Sequence, residues 1–249
     1  MTDVPAPELS IVLPVYNEGE AVEPVLRALD TGVRTPHEIL VVYDFDEDTT
    51  LPVARQLATE LRAIRPLRNE LGRGVLNAMK AGIAGSRGSF VLVSMADGSD
   101  EPQIVDRMVE LARSGADVVA ASRYMPGGRQ IGGPRLKRLM SRVAGLSLHW
   151  FGGVRTHDPT NNFKLYSRRF LDQVTIESTA GFELALELTV KATLAGRRVA
   201  EVPTTWRDRT SGQSNFKLRK WLPHYLHWYR TAFVGRFTGR PKRSEPTAS

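Results

Sequence analysis

The chain has 249 residues, 41% of them hydrophobic, and no cysteine; it can bury one α/β-sized core, and a disulfide framework, thiolate metal centres and cysteine nucleophiles are excluded. A cysteine-free chain suits a reducing compartment, so the expected location is the cytosol. The net charge of +7 is unevenly spread: residues 1–125 carry 12 Lys and Arg against 19 Asp and Glu, whereas residues 126–249 carry 22 against 8, which points the second half at nucleic acid, an anionic membrane or a phosphorylated ligand.

Residues 1–9 carry acids and prolines in place of a basic stretch followed by an apolar one, so no leader is expected, nor is any uninterrupted membrane span. Residues 9–16 read as a buried strand by their β-branched content and end in Asn17-Glu18. A helix over about 21–29 follows. A second strand, 38–43, ends in Asp44, Asp46, Glu47 and Asp48 before a helix that includes 52–61. Gly72-Arg73-Gly74 then turns into a helix running through Lys80. It lacks the third glycine of a dinucleotide fingerprint, and no P-loop occurs, so Rossmann oxidoreductases and P-loop NTPases lose support.

The strand at 90–93 runs into Ser94-Met95-Ala96-Asp97-Gly98-Ser99-Asp100-Glu101-Pro102. Carboxylates at such a strand end can hold a divalent cation against a phosphorylated ligand. Equally, Ser99 or Asp100 suits a helix N-cap, Glu101 a first turn and Pro102 the first helical position, and from this segment alone capping is favoured. A helix over 104–111 and a strand over 116–121 complete an alternation of strand and helix. That order predicts an α/β fold, a single doubly wound, mostly parallel sheet flanked by helices.

Past Tyr124, a glycine-rich loop at 125–134 leads into a basic helix with Arg135, Lys137, Arg138 and Arg142, suited to an anion or to a mobile loop and a solvated face. His157-Asp158 reads as an acid/base dyad or a cap, with the cap favoured. Glu183 and Glu187 share a helix face, to position a sugar or, slightly favoured, simply to be solvated. Strand 199–203 follows. Residues 216–237 mix Trp221, Tyr225, Trp228, Tyr229, Phe233 and Phe237 with Lys217, Arg219, Lys220, Arg230 and Arg236. They suit an in-plane helix on an anionic membrane, the other readings being a helix packed on its own domain or a dimer contact. His224 and His227 have no carboxylate neighbours and are not read as metal ligands. The division expected is a catalytic domain over 1–215, an amphipathic interfacial helix over 216–237 and a disordered basic tail over 238–249.

Read in order, Pro14-Val15-Tyr16-Asn17-Glu18, Val41-Val42-Tyr43-Asp44 through Asp48-Thr49-Thr50, and Ala96-Asp97 are similar to the donor-side motifs of glycosyltransferase family 2. Ser122-Arg123-Tyr124, Gly127-Gly128, Asp158-Pro159-Thr160-Asn161-Asn162-Phe163-Lys164 and Arg209-Thr210-Ser211-Gly212-Gln213-Ser214 resemble the acceptor-side motifs of its polyprenol-phosphate (dolichol-phosphate) sugar synthases. The resemblance covers roughly residues 8–217. It implies the GT-A fold, a nucleotide-diphosphate sugar donor, a polyprenyl-phosphate acceptor and Mg2+ or Mn2+. Asp97 would ligate the ion with Ser99 or Asp100. Pro14, Tyr16, Asn17, Glu18, Asp44, Ala96 and Asp97 would line the nucleotide-sugar site, and Arg123, Lys137, Arg138, Ser141, Arg209 and Ser214 the acceptor-phosphate site. Asp97, Arg123, Lys137 and Arg209 form the expected catalytic set.

Three positions depart from the pattern: Met95 stands where the first acid of Asp-x-Asp is expected, Tyr43 replaces an Asp, and Lys137 replaces an arginine. A lipid phosphate is already ionised near neutral pH, so its attack needs no protein base. Three other readings remain. A saccharide hydroxyl as acceptor would need a base, from Glu183, Asp158 or Asp100. A degenerate protein would bind nucleotide sugar or membrane without turnover. A nucleic-acid binder is disfavoured, because the aromatic residues concentrate in one terminal segment. The expected placement is cytoplasmic, peripheral on the inner face of the membrane; the sequence is silent on oligomeric state.

Overall fold

The computed structural model describes residues 6–208 and 218–238, the side chains of 135–137 and 218–222 excepted. A seven-stranded sheet runs in the order β3 (Ile64–Arg68), β2 (His37–Tyr43), β1 (Leu9–Pro14), β4 (Phe90–Val93), β7 (Lys164–Ser167), β5 (Val118–Ser122) and β8 (Val199–Pro203). All neighbours pair parallel except β7, which is antiparallel to both β4 and β5. Successive residues of a strand point to opposite faces, so a strand buried on both sides must be apolar throughout. β1 obeys: Ile11 and Leu13 meet Leu26 of α1 (Val22–Gly32), Leu57 of α2 (Thr50–Glu60) and Met108 of α4 (Val105–Arg113), while Val12 faces Met79 of α3 (Val75–Gly85) and Leu188 of α7 (Leu184–Leu194). The doubly wound, mostly parallel sheet is as expected.

Some elements were not anticipated. The polar sequence of β3, Ile-Arg-Pro-Leu-Arg, hides an edge strand. β7 is a full member of the sheet although it begins with Lys164, and its reversal carries residues 157–163 to the edge where β4 and β5 end. A single helical turn, α6 (Arg168–Leu171), follows it. β6 (Arg129–Ile131) and β9 (Thr205–Arg207) form a separate parallel ribbon over that same edge.

The basic segment forms α5 (Arg135–Trp150) and the aromatic one forms α8 (Leu218–Thr238). Leu148 of α5, Leu186 and Val190 of α7, and Trp228 and Ala232 of α8 build a third apolar cluster, with Tyr225, Tyr229 and Phe233 packed on it. The Tyr225 hydroxyl donates to the Phe182 carbonyl (2.9 Å) and the Tyr229 hydroxyl to Ser147 Oγ (2.9 Å). Four of the six aromatic residues expected to face a membrane surface, Tyr225, Trp228, Tyr229 and Phe233, are thus spent on the domain itself. Among the described residues, no helix is long and apolar enough to cross a membrane.

Candidate active site

Because β1, β2, β4, β5 and β8 are parallel, their C-terminal ends gather on one edge, the edge where α/β sheets place ligands. Asn17 follows β1 in the left-handed region (φ 53°). Its N–H donates to both oxygens of Asp48 (3.1 Å each), and its Oδ1 accepts from Thr49 N (3.1 Å). Glu18 N donates to Thr50 Oγ1 at 2.9 Å. Asp48 is buried and also accepts from Thr50 N (2.8 Å). It fastens the ends of β1 and β2 together, a role the sequence reading left unassigned; the signal was an Asp directly before Thr-Thr, an Asx turn.

Asp44 accepts from Asn69 Nδ2 (2.7 Å) and Gly74 N (2.8 Å), which fixes the glycine turn ahead of α3. Tyr16, 58% exposed, meets Phe45 edge-on with ring centroids 5.8 Å apart, and the Arg73 guanidinium lies 4.8 Å from the Phe45 ring centre. The result is an open aromatic ledge with a cation beside it, beyond buried Pro14 at the end of β1.

The acidic turn after β4 does not cap a helix with its side chains. Asp97 Oδ1 accepts from Ser99 N (3.1 Å) and Ser99 Oγ (2.6 Å). The Asp100 carboxyl turns back to accept from Ser94 Oγ and Met95 N, both at 3.2 Å. Glu101 reaches across to Thr205 N at the start of β9 (2.8 Å). Only Pro102 behaves as expected, opening the 3-10 turn Pro102–Ile104. Burial first, and the Asp97 carboxylate second, push the Asp100 pKa up to about 7. Ala96 is buried beneath this turn.

Two carboxylates held this way can share a cation. Among the described residues no three His, Asp or Glu side chains converge to hold one alone. The donor set therefore suits an ion that takes one or two protein carboxylates and completes its shell with phosphate oxygens and water.

Across the edge, Arg123 grips Asp158: Nε to Oδ2 2.6 Å, Nη2 to Oδ1 2.9 Å and backbone N to Oδ2 3.1 Å. Asp158 is fully buried. Burial would raise its pKa, but the Arg123 guanidinium outweighs that and holds it below the usual carboxylate range. Buried Lys164 donates to the carbonyls of Asp158 (3.0 Å), Pro159 (3.1 Å) and Asn161, pinning the loop; burial pushes its pKa down to about 7, against the pull of Asp158. Ser141 shares a hydrogen bond with Thr160 (2.9 Å) and accepts one from Arg123 Nη2 at 3.4 Å.

A cleft of ≈ 640 Å³ opens here, lined by Arg123, Tyr124, Gly128, Arg129, Arg138 and Arg142 among others. Gly128 is needed for it: a Cβ there would stand 2.3 Å from the Ser122 carbonyl oxygen. Arg123 also acts electrostatically on Asp100, so the acidic turn and the arginine cleft adjoin.

Other expected roles shift. His157 and Asp158 do not form a dyad; His157 Nδ1 lies 2.6 Å from Glu201 Oε1, and its ring stacks on His149 at 3.9 Å. Glu183 and Glu187 are fully buried, not solvated: Glu183 accepts from Ala180 N (2.8 Å) and Gly181 N (2.7 Å), and Glu187 from Glu177 N (2.6 Å), Ser178 N (2.8 Å) and Lys191 Nζ (2.7 Å). Arg209 and Ser214 lie outside the described residues, as does the side chain of Lys137.

Residues 10–175 match the pattern of the family described as Glycosyl transferase family 2. The chain belongs to that family. Among curated members it is 26% identical over 228 residues to a dolichol-phosphate mannosyltransferase of Pyrococcus furiosus, covering 90% of this chain but 63% of that relative, which is less than two thirds of its length. It is 30% identical over 233 residues to a polyprenol monophosphomannose synthase of Mycolicibacterium smegmatis (87% and 88% of the two chains). An undecaprenyl-phosphate mannosyltransferase of Micrococcus luteus is 32% identical over 209 residues (82% and 85%).

The family 2 fold is echoed in solved structures. Mannosyl-3-phosphoglycerate synthase from Rubrobacter xylanophilus superposes with a TM-score of 0.64 at 20% identity, over 98% of this chain and 78% of that one. Glucosyl-3-phosphoglycerate synthase from Mycobacterium tuberculosis, in complex with Mn2+, UDP-glucose and phosphoglyceric acid, gives 0.63 at 20% identity, over 92% and 79%.

Proposed function

We propose that this glycosyltransferase moves a sugar from a nucleotide-diphosphate sugar to a polyprenyl phosphate, at the sheet edge where the acidic turn meets the arginine cleft. One observation carries the reading: Asp100, which feels the Asp97 carboxylate on one side, feels on the other Arg123, one of the four arginines that line the cleft. The three curated relatives bear names of phosphomannose synthesis on dolichol, polyprenol or undecaprenyl carriers, and a solved neighbour was crystallised with Mn2+ and a nucleotide sugar.

In this reading the Tyr16–Phe45 ledge, with Asn17 and Glu18, takes the nucleoside, and Asp97 and Asp100 face the diphosphate. These two residues would hold Mg2+ or Mn2+, with Ser99 orienting Asp97; the ion, when bound, offsets the negative charge that builds on the departing nucleoside diphosphate. An oxygen of the acceptor phosphate forms the new bond to the anomeric carbon as the bond to the diphosphate breaks. No proton has to leave the acceptor, which agrees with a site whose other buried acids are engaged: Asp158 with Arg123, Glu183 with backbone N–H groups. The cleft's arginines, with Ser141, Lys137, Arg209 and Ser214, are assigned to the acceptor side.

The protein is further proposed to sit on the inner face of an anionic membrane. Leu226, Val234 and Phe237 of α8, with Trp150 and Phe151 at the end of α5, remain exposed for that contact. The test is a turnover screen of purified protein with GDP- and UDP-sugars and a short-chain polyprenyl phosphate, with Mg2+ or Mn2+. Lipid-linked product together with nucleoside diphosphate, both dependent on the lipid phosphate, is the expected result. Product on a saccharide alone, or none with any donor, would refute the assignment.

A further inference from the structure

Residues 156–161 join α5 to β7, and among the described residues none of them lines the arginine cleft. The loop is held from several sides. Glu201 of β8 accepts from Thr156 Oγ1 (2.9 Å) and His157 N (2.8 Å), the Asn161 amide donates to the Ala121 carbonyl (2.9 Å), and Thr160 bonds Ser141 of α5. The last hold is Lys164, whose Nζ donates to the carbonyl oxygens of Asp158 (3.0 Å), Pro159 (3.1 Å) and Asn161. Backbone carbonyls are ordinary ligands of hard cations, and here an ammonium takes that place.

The count of protons matters. An ammonium has three N–H groups and meets all three carbonyls. A neutral amine has two, and turns its lone pair on the third carbonyl; a buried carbonyl left without a donor is costly. Lys164 is 0% exposed, so bulk water does not make up the loss. The charged groups that face it are Asp158 on the loop, Arg123 just past β5 and Glu201 on β8, while its sheet neighbours Val93 and Ala120 are apolar. Asp158 is already paired with Arg123, and Glu201 with His157, so neither is a counter-ion for the ammonium alone. Burial therefore prevails and brings the lysine's pKa down to about 7.

We infer that Lys164 is a positioning residue whose proton keeps loop 156–161 in the shape that turnover requires, and that loss of this proton loosens the loop while the rest of the fold stays intact. The link to turnover rests on the polyprenyl-phosphate reading above; the link between proton and loop does not. The sign of the effect separates it from general unfolding. Between its folded value and the ordinary lysine value, the unfolded chain holds a proton that the folded chain has lost, so this group's contribution to global stability rises with pH. Loosening of the loop and firming of the fold run in opposite directions.

The wild-type protein, without ligand, is the first test. NMR of lysine labelled with 13C follows Lys164 Cε, assigned by its absence in Lys164→Arg, from pH 6 to pH 10. Hydrogen exchange follows residues 156–163 over the same range, corrected for the intrinsic pH dependence of exchange. The Cε signal should titrate near neutrality, and loop exchange should speed up about tenfold across the same interval, the loss of one hydrogen bond, with β1 unmoved. Lys164→Arg keeps a cation at every pH and should show no such response; Lys164→Met keeps none and should exchange fast throughout. In turnover between pH 7.5 and pH 9, where a phosphate monoester is already doubly ionised, the acceptor kcat/KM of the wild type should fall about tenfold with the donor KM unmoved. A Cε signal that titrates like an ordinary lysine, or a loop whose exchange ignores pH, would overturn the inference, and the wild type alone decides this even if neither variant folds. An acceptor kcat/KM that stays level while the loop loosens would overturn the positioning role. A loop that loosens in a protein that turns over no lipid phosphate would support the link between proton and loop and count against the acceptor reading alone.

Discussion

Met95 occupies the place where a second acid was expected beside Asp97, and the proposed stand-in is Asp100, three residues after Asp97 and folded back toward Met95 N. That substitution of position was half legible. The acids could be read from the sequence, but which of them would turn inward depended on Ser94 and on the reach of Glu101 to β9, and neither contact leaves a local signature. Asp97→Asn should therefore cut metal-dependent release of nucleoside diphosphate by about a hundredfold or more, since charge stabilisation on a leaving group is often worth that much; initial rates over a Mn2+ titration would show it, and normal rates would remove Asp97 from the mechanism. The Arg123–Asp158 pair was invisible for a different reason, because its members lie 35 positions apart and meet only when β7 enters the sheet antiparallel. The pair has a pH signature. The folded state holds the Asp158 pKa below its ordinary value, so the unfolded chain binds the proton first as pH falls. Its stabilisation is present above the ordinary carboxylate range and is lost as pH drops through the lowered folded value. Asp158→Asn should cost about 3–5 kcal/mol at pH 7, as expected when a buried charge loses its partner, and should flatten the acid limb of stability in urea titrations between pH 7 and pH 3.

The strands that could be read from the sequence are those buried on both faces, whose uninterrupted apolar runs admit few other structures. β7 escaped because it is four residues long and opens with a lysine, whose ammonium is satisfied by three carbonyls that no local pattern foretells. α8 was recognised as a helix but its faces were not: composition counts the aromatic residues without saying which of them α5 and α7 will cover. The loop between β5 and β6 shows how strictly an element can fix a site. Gly128 lies so close to the Ser122 carbonyl that any side chain forces the loop away from Arg123. Gly128→Ala should destabilise the protein by about 1–3 kcal/mol, the usual cost of overpacking, and should raise the acceptor KM while leaving nucleotide-sugar binding intact. Calorimetry with each ligand separates these effects, and a parallel loss of donor affinity would mean that the loop serves the whole sheet edge.

The opposite charge of the two halves matches the proposed division of labour along that edge, with carboxylates on the turn after β4 and guanidiniums on β6 and α5. In the proposed membrane reading, the same division would orient the molecule on a surface. Trp150 and Phe151 close α5, and Phe237 lies near the end of α8, beside Arg236, whose Nη1 donates to the Phe151 carbonyl at 2.9 Å. These aromatic side chains are 66–79% exposed, and they sit by cations, the combination that favours the interfacial zone of an anionic bilayer. Removing α8 would be a poor test of docking, because Tyr225, Trp228 and Phe233 belong to the third apolar cluster and its loss would disturb α5 and α7 together. Changing Trp150, Phe151 and Phe237 together to serine touches only exposed rings. If each ring buries even part of its surface in lipid, at about 25 cal/mol per Å², the triple variant should bind vesicles of anionic lipid at least tenfold more weakly. Flotation at low and high salt distinguishes the two contributions: the wild type should lose binding as salt screens the arginines, and the variant should bind poorly at both. Equal flotation of wild type and variant would remove these rings from the proposed membrane contact, and with them the direction from which the proposed lipid acceptor would enter the arginine cleft.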